Sequence, residues 1–198
     1  MKKIIILLSV LLFTTTSFAA VMSGEMAPDF TLLDSNGTSQ QLSAYKGKYV
    51  VLEWYNPDCP FVKKHYKSDN MQMLQRKYGE QDVVWLSINS SNYGKQGQYS
   101  PDEYNQIRDN SKAAPTAILL DHEGTVGKQY GARTTPHIYV IDPEGKLAYQ
   151  GAIDSMPSTD ASDIAKSENY VDTVLNAALA GEAIPLAQTK PYGCGVKY

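Results

Sequence analysis

The chain has 198 residues, 42% hydrophobic and 20% charged, with a formal charge of −3. That length accommodates one ordinary domain, and an acidic balance without a basic block argues against nucleic acid as a partner. Only two cysteines occur, Cys59 and Cys194, so a single intramolecular pairing exists.

Residues 1–19 read as a cleavable signal peptide. Lys2 and Lys3 precede an apolar run over 4–13 and a small-residue site, Ser17-Phe18-Ala19. The run is shorter than the ~20 residues of a membrane span, and no cysteine near the cleavage point offers a lipid attachment. The expectation is an exported protein, periplasmic or secreted, with no stable membrane anchor. In an oxidising compartment its two cysteines are able to pair.

After the leader, a strand at 30–33, the turn signal Asp34-Ser35-Asn36-Gly37 and a partner at 38–42 predict a hairpin. The segment 49–55 carries Val50-Val51-Leu52 in succession, the pattern of a centre strand covered on both faces. It leads to Cys59-Pro60, where a buried strand gives way to a helix and a proline at the first helical position costs no hydrogen bond. Apolar spacing predicts that helix over 60–78, interrupted at 67–70. A second buried strand at 83–88 and a polar loop at 89–100 follow, and then Ser100 caps a helix that has Pro101 at its first position and fades near Ala113.

A strand at 116–120, a short helix at 123–130 and a strand at 137–141 come next. The turn Asp142-Pro143-Glu144-Gly145 then leads into an antiparallel strand at 146–150. Residues 154–168 read as a mobile loop. The last helix, 169–180, puts Tyr170, Val171, Val174 and Leu175 on one side. Alternating strands and helices of this kind predict a mixed α/β sheet with helices on both faces.

The chemistry points to Cys59. Unpaired amide groups and the positive end of the dipole at a helix N-terminus lower a thiol's pKa, and the thiolate is the nucleophilic form. A structural staple between Cys59 and Cys194 is the plainer alternative.

Several segments carry a family resemblance. They are Ala27-Pro28-Asp29-Phe30-Thr31-Leu32, the Asn56-Pro57-Asp58-Cys59-Pro60-Phe61-Val62 junction, Tyr130-Gly131-Ala132-Arg133-Thr134-Thr135-Pro136, and the terminal Pro191-Tyr192-Gly193-Cys194-Gly195-Val196-Lys197-Tyr198. With them the chain resembles exported thioredoxin-fold redoxins of the alkyl hydroperoxide reductase/thiol-specific antioxidant (peroxiredoxin-like) family. The resemblance implies an α/β, thioredoxin-like domain over residues 20–182: a central mixed β-sheet flanked by helices, with an N-terminal β-hairpin extension. A tail over 183–198 carries Cys194. The resemblance also implies that Cys59 is the nucleophile and that Pro136 is a cis proline facing it. Thr135 then offers its backbone to the thiol and to an incoming chain. Glu53, six residues before Cys59, takes the place of a buried acid that handles protons.

Two departures from the family patterns matter. Val62 stands where thioredoxins carry a second cysteine, so no local dithiol exists. Asn56 and Pro136 stand where peroxidases of the peroxiredoxin group carry a peroxide-binding Thr and Arg, with Arg133 the nearest substitute in sequence. Glycines flanking Cys194 free the tail to bring its sulfur to Cys59, with Cα atoms within ~7 Å, which makes Cys194 the candidate resolving thiol. The leading expectation is an enzyme of thiol-disulfide exchange that acts on a protein disulfide or thiol and is recharged by a separate reductase. The alternative is a thiol-dependent peroxidase acting on a peroxide. A copper-binding module using Cys59, Cys194 and His137 comes third. The leading reading needs no cofactor. Lys63 and Lys64 are read either as thiolate partners or as a solvated face, His65 as pointing away from the cysteine, and His122 as exposed.

Overall fold

The central sheet has five strands in the computed structural model, which describes residues 21–198. Residue 20 and the expected leader over 1–19 lie outside the described residues. The chain enters through the hairpin of β1 (Thr31–Leu33) and β2 (Ser39–Gln41). Its turn forms as the sequence predicts: Asp34 Oδ1 accepts from the amides of Asn36 at 2.8 Å and Thr38 at 2.9 Å, and Gly37 takes φ 78°.

The main elements follow as β3 (Val50–Trp54), α1 (Pro60–Lys67), α2 (Asn70–Gly79), β4 (Val84–Asn89), α3 (Pro101–Ser111), β5 (Ala117–Leu120) and α4 (Thr125–Tyr130). Then come β6 (Thr134–Thr135), β7 (His137–Ile141), β8 (Leu147–Gly151), α5 (Tyr170–Leu179) and β9 (Cys194–Gly195). The sheet order is β5-β4-β3-β7-β8. β3 pairs parallel with β4 and antiparallel with β7, which makes the sheet mixed as expected.

β3 is the central strand and is buried throughout. Its two-residue period divides the core. Val50, Leu52 and Trp54 face a cluster with Phe30, Leu86, Ile88, Tyr130 and Tyr139. Val51 faces the other way, onto Met71, Leu74 and Tyr78 of α2 and Val171, Val174 and Leu175 of α5. Glu53 belongs to this second face by the same alternation.

The helix expected over 60–78 is two helices. Ser68 Oγ donates to the Lys64 carbonyl at 2.8 Å, and Asp69 sits in the left-handed region at φ 61°, so the backbone turns before α2 begins. The cap of α3 is a full capping box: the amide of Glu103 donates to Ser100 Oγ and the amide of Ser100 to Glu103 Oε2.

Residues 154–168, expected as a mobile loop, are a built segment. Asp154 is buried, and Ala161–Lys166 forms a 3-10 helix begun by Asp160. The polarity that suggested mobility is consumed internally: Ser158 Oγ donates to Asp163 at 2.6 Å, and Ser167 Oγ to the Ile164 carbonyl at 2.8 Å. Among the described residues no helix is long and apolar enough to cross a membrane.

Candidate active site around Cys59 and Cys194

Cys59 is the residue immediately before α1, in extended conformation (φ −68°, ψ 125°), with Pro60 opening the helix. It has no exposed surface and packs among Tyr55, Val62, Tyr104 and Ile118. Its sulfur lies 2.6 Å from Cys194 Sγ and 3.0 Å from the Thr135 carbonyl oxygen. The Thr135–Pro136 peptide is cis. The fold therefore gathers four of the five expected site residues, Cys59, Cys194, Thr135 and Pro136, at one point.

The two thiols are electrostatically unequal. Burial pushes the Cys59 thiol up. That effect is outweighed by the Cys194 thiol, the Thr135 side chain beside the sulfur and backbone amides including that of Val62, so Cys59 ends below the ordinary thiol value. Cys194 goes the other way, pushed up to about 11 by its own burial and by the neighbouring Cys59 sulfur. Cys59 thus gives up its proton more readily than Cys194, the division of labour that an attacking and a waiting thiol require.

The tail reaches this position by pairing as a strand. β9 runs antiparallel to β6, with Cys194 opposite Thr135 and Gly195 opposite Thr134, and the Val196 amide donates to the Arg133 carbonyl at 3.1 Å. Gly193 is required here. It adopts φ 141°, and a Cβ in its place would sit 2.1 Å from the Thr135 carbonyl oxygen.

Glu53 is fully buried beneath the same helical layer. Its carboxylate accepts from Trp85 Nε1 at 2.9 Å, Ser87 Oγ at 2.9 Å and Tyr66 at 2.9 Å, and it makes no hydrogen bond to either sulfur. Burial pushes its pKa up against the opposing pull of these donors. Because the folded carboxyl keeps its proton to a higher pH than the unfolded one, the folded state loses stability as pH rises from the ordinary Glu range through the raised value. Glu53→Gln preserves the shape, with its amide oxygen accepting from Trp85 and Ser87 and its NH2 donating to Tyr66. In denaturant titrations between pH 5 and 8, the wild type is expected to lose stability relative to Glu53→Gln as pH rises. Parallel curves would show that this carboxyl does not titrate differently on folding.

The remaining candidates separate cleanly. Lys63 is half-exposed, 3.7 Å from Asp58. Lys64 is buried instead and bonds Asp154 at 3.1 Å and the Met156 carbonyl at 2.8 Å. His65 does point away from Cys59, but into the core, where it meets Tyr192 and Asn70. His122, expected to be exposed, is buried and bonds the Ser91 carbonyl at 3.0 Å. Asn56, at the peroxidase Thr place, is occupied internally: its oxygen accepts from the Asp58 amide at 2.9 Å and its nitrogen donates to the Gln96 carbonyl at 3.2 Å.

His137 lies 3.5 Å from the Arg133 amide and 3.3 Å from the Tyr139 hydroxyl, and burial lowers its pKa to about 3. Among the described residues no group of three or more His, Cys, Asp or Glu side chains is placed to hold a metal, so the copper reading lacks its third ligand. The residues that sequence reasoning missed are Tyr192 and Asp154. The signal for Tyr192 was its place two residues before Cys194. Asp154 gave none.

The chain is similar to known proteins. Peroxiredoxin Bcp of Bacillus subtilis is 27% identical over 135 residues, 63% of this chain and 80% of its own length. Thiol-disulfide oxidoreductase ResA of the same organism is 29% identical over 138 residues, 65% of this chain and 66% of its own length. The thioredoxin domain of a thiol-disulfide oxidoreductase from Bacteroides vulgatus superposes with a TM-score of 0.53 at 19% identity, covering 74% of this chain and 97% of that domain, which shows a thioredoxin-like fold. The AhpC/TSA family model matches residues 23–150, and the chain belongs to that family.

Proposed function

We propose that the protein is an exported thiol-disulfide oxidoreductase in which Cys59 attacks and Cys194 resolves, with residues 1–19 as its leader and the tail over 183–198 supplying the second thiol. The observation that carries this reading is the 2.6 Å approach of Cys194 Sγ to a Cys59 thiol held below its ordinary pKa. The Cys59 thiolate attacks one sulfur of a substrate disulfide and forms a mixed disulfide, and the other substrate sulfur leaves as thiolate. Cys194 then gives up its proton and attacks Cys59 Sγ. This closes the intramolecular disulfide and releases the second substrate sulfur as thiolate, which takes a proton. The substrate disulfide has gained two electrons, and a separate dithiol reductase must return two to the Cys59–Cys194 bond. Glu53 bonds neither sulfur, and its burial with a raised pKa is what supports it as the proton acceptor of this cycle.

A peroxidase reading is supported by the similarity to peroxiredoxin Bcp, but the engaged Asn56 and the proline at 136 leave it without the usual peroxide contacts. Differential alkylation followed by mass spectrometry tests the cycle. After a disulfide oxidant, the wild type is expected to hold a Cys59–Cys194 bond, and Cys194→Ser a trapped mixed disulfide on Cys59. If the two cysteines never pair, Cys194 is not the resolving thiol. Peroxide consumption that vanishes in Cys59→Ser would promote the peroxidase.

A further inference from the structure

Cys194 is held between two aromatic anchors. Tyr192 lies two residues before it and packs edge-on against Phe61 of α1, ring centroids 5.8 Å apart. Its hydroxyl donates to Asp154 and stands 3.2 Å from His65 Nε2. Asp154 is in turn paired with Lys64, and the side chains of Lys64, Asp154 and His65 have at most 1% exposure. Tyr192 is thus the point at which the tail plugs into a buried ionic cluster based on the same helix that Cys59 opens.

Tyr198 lies four residues after Cys194. Its hydroxyl donates to the Ala132 carbonyl at 2.9 Å, and Lys128 stands 5.4 Å from the ring centroid. The ring fills space left by two glycines: a Cβ at Gly127 would lie 2.4 Å from Tyr198 Oη, and one at Gly124 the same distance from the ring. Between these anchors the strand pairing of β9 fixes where the sulfur points.

We propose that Tyr192, seated on the Asp154–Lys64–His65 cluster, and Tyr198, seated on Gly124 and Gly127, form a clasp that sets the effective concentration of Cys194 over Cys59. They are positioning residues: neither touches a reacting sulfur, and both act through the tail. The proposal rests on Cys194 being the resolving thiol. It adds that the rate of resolution is encoded in side chains remote from both cysteines. The clasp works against the first step and for the second. Cys59 has no exposed surface while the tail is seated, so loosening the tail speeds attack on an external disulfide and slows ring closure onto Cys194.

Glutathione disulfide is a suitable probe because each step releases one glutathione. The Cys59 thiolate displaces the first to form the glutathionyl adduct, and Cys194 displaces the second to form the protein disulfide. Tyr192→Phe keeps the ring on Phe61 and removes the hydroxyl alone. It is expected to lower the equilibrium constant for the second step, adduct to protein disulfide, about tenfold, the size of one hydrogen bond to a charged group, and to raise that for the first step by the same factor, because the bond is already made in the dithiol form. It should also make the adduct form faster and resolve more slowly. Tyr198→Phe, which keeps the ring on Gly124 and Gly127 and removes only the bond to the Ala132 carbonyl, is expected to produce the same opposed pair of changes from the other end of the tail.

A merely destabilising change does not move the two rates in opposite directions. If the wild type forms no protein disulfide, the resolving role itself fails. If it does, and neither variant shifts the partition between adduct and protein disulfide, the clasp is overturned.

Discussion

Cys59→Ser is expected to abolish thiol-disulfide exchange, with turnover reduced on the order of a thousandfold or more. A serine hydroxyl keeps its proton at neutral pH, so the helix N-terminus has no anion to stabilise. The fold should tolerate the change, since the site is small and already polar on one side. The measurement is reduction of a model disulfide by purified wild type and variant, with thermal unfolding as the control. Residual turnover within tenfold of wild type would remove Cys59 from the chemistry. Cys194→Ser should behave differently: one round of adduct formation, then arrest.

The largest stability effect is expected at Asp154. Lys64 Nζ is sequestered with this carboxylate at 3.1 Å and one carbonyl at 2.8 Å, in a place where its side chain has no exposure. Removing the carboxylate leaves an ammonium with no counter-charge in a low-dielectric site, and breaking such a pair costs about 3–5 kcal/mol. Asp154→Ala also strips Tyr192 of its acceptor, which loosens the tail. Denaturant unfolding gives the number, and a double variant gives the cause. Lys64→Met combined with Asp154→Ala should cost less than Asp154→Ala alone, because the stranded charge is gone. A cost under about 1 kcal/mol for the single variant would mean that water reaches Lys64 and the pair is not buried in solution.

The sequence is informative where local chemistry decides structure. Cys59-Pro60 marks a helix start because a proline without an N–H fits only there, and Ser100-Pro101 repeats the signal with a complete capping box. The uninterrupted Val50-Val51-Leu52 run announces a strand covered on both faces, and β3 is that strand. What was not legible depends on long-range pairing. The carboxylate of Asp154 and the ammonium of Lys64 are 90 residues apart, and nothing near either says that they meet. Neither shows its partner in sequence, which is why 154–168 resembles a loop and Lys64 reads either as a thiolate partner or as part of a solvated face. His65 was placed correctly by helix geometry as turned away from Cys59, but geometry on one helix does not say what lies in the direction it faces.

The strand pairing of the tail makes access to Cys59 a matter of time. With β9 seated, the Val196 amide is bonded to the Arg133 carbonyl and Cys59 is sealed, so one opening event exposes both. Amide hydrogen exchange at Val196 and chemical modification at Cys59 then read the same equilibrium, one by its proton and the other by its sulfur. On the clasp proposed above, the protection factor of a single backbone amide is expected to match the factor by which the reactive thiol is shielded from solvent oxidants between turnovers.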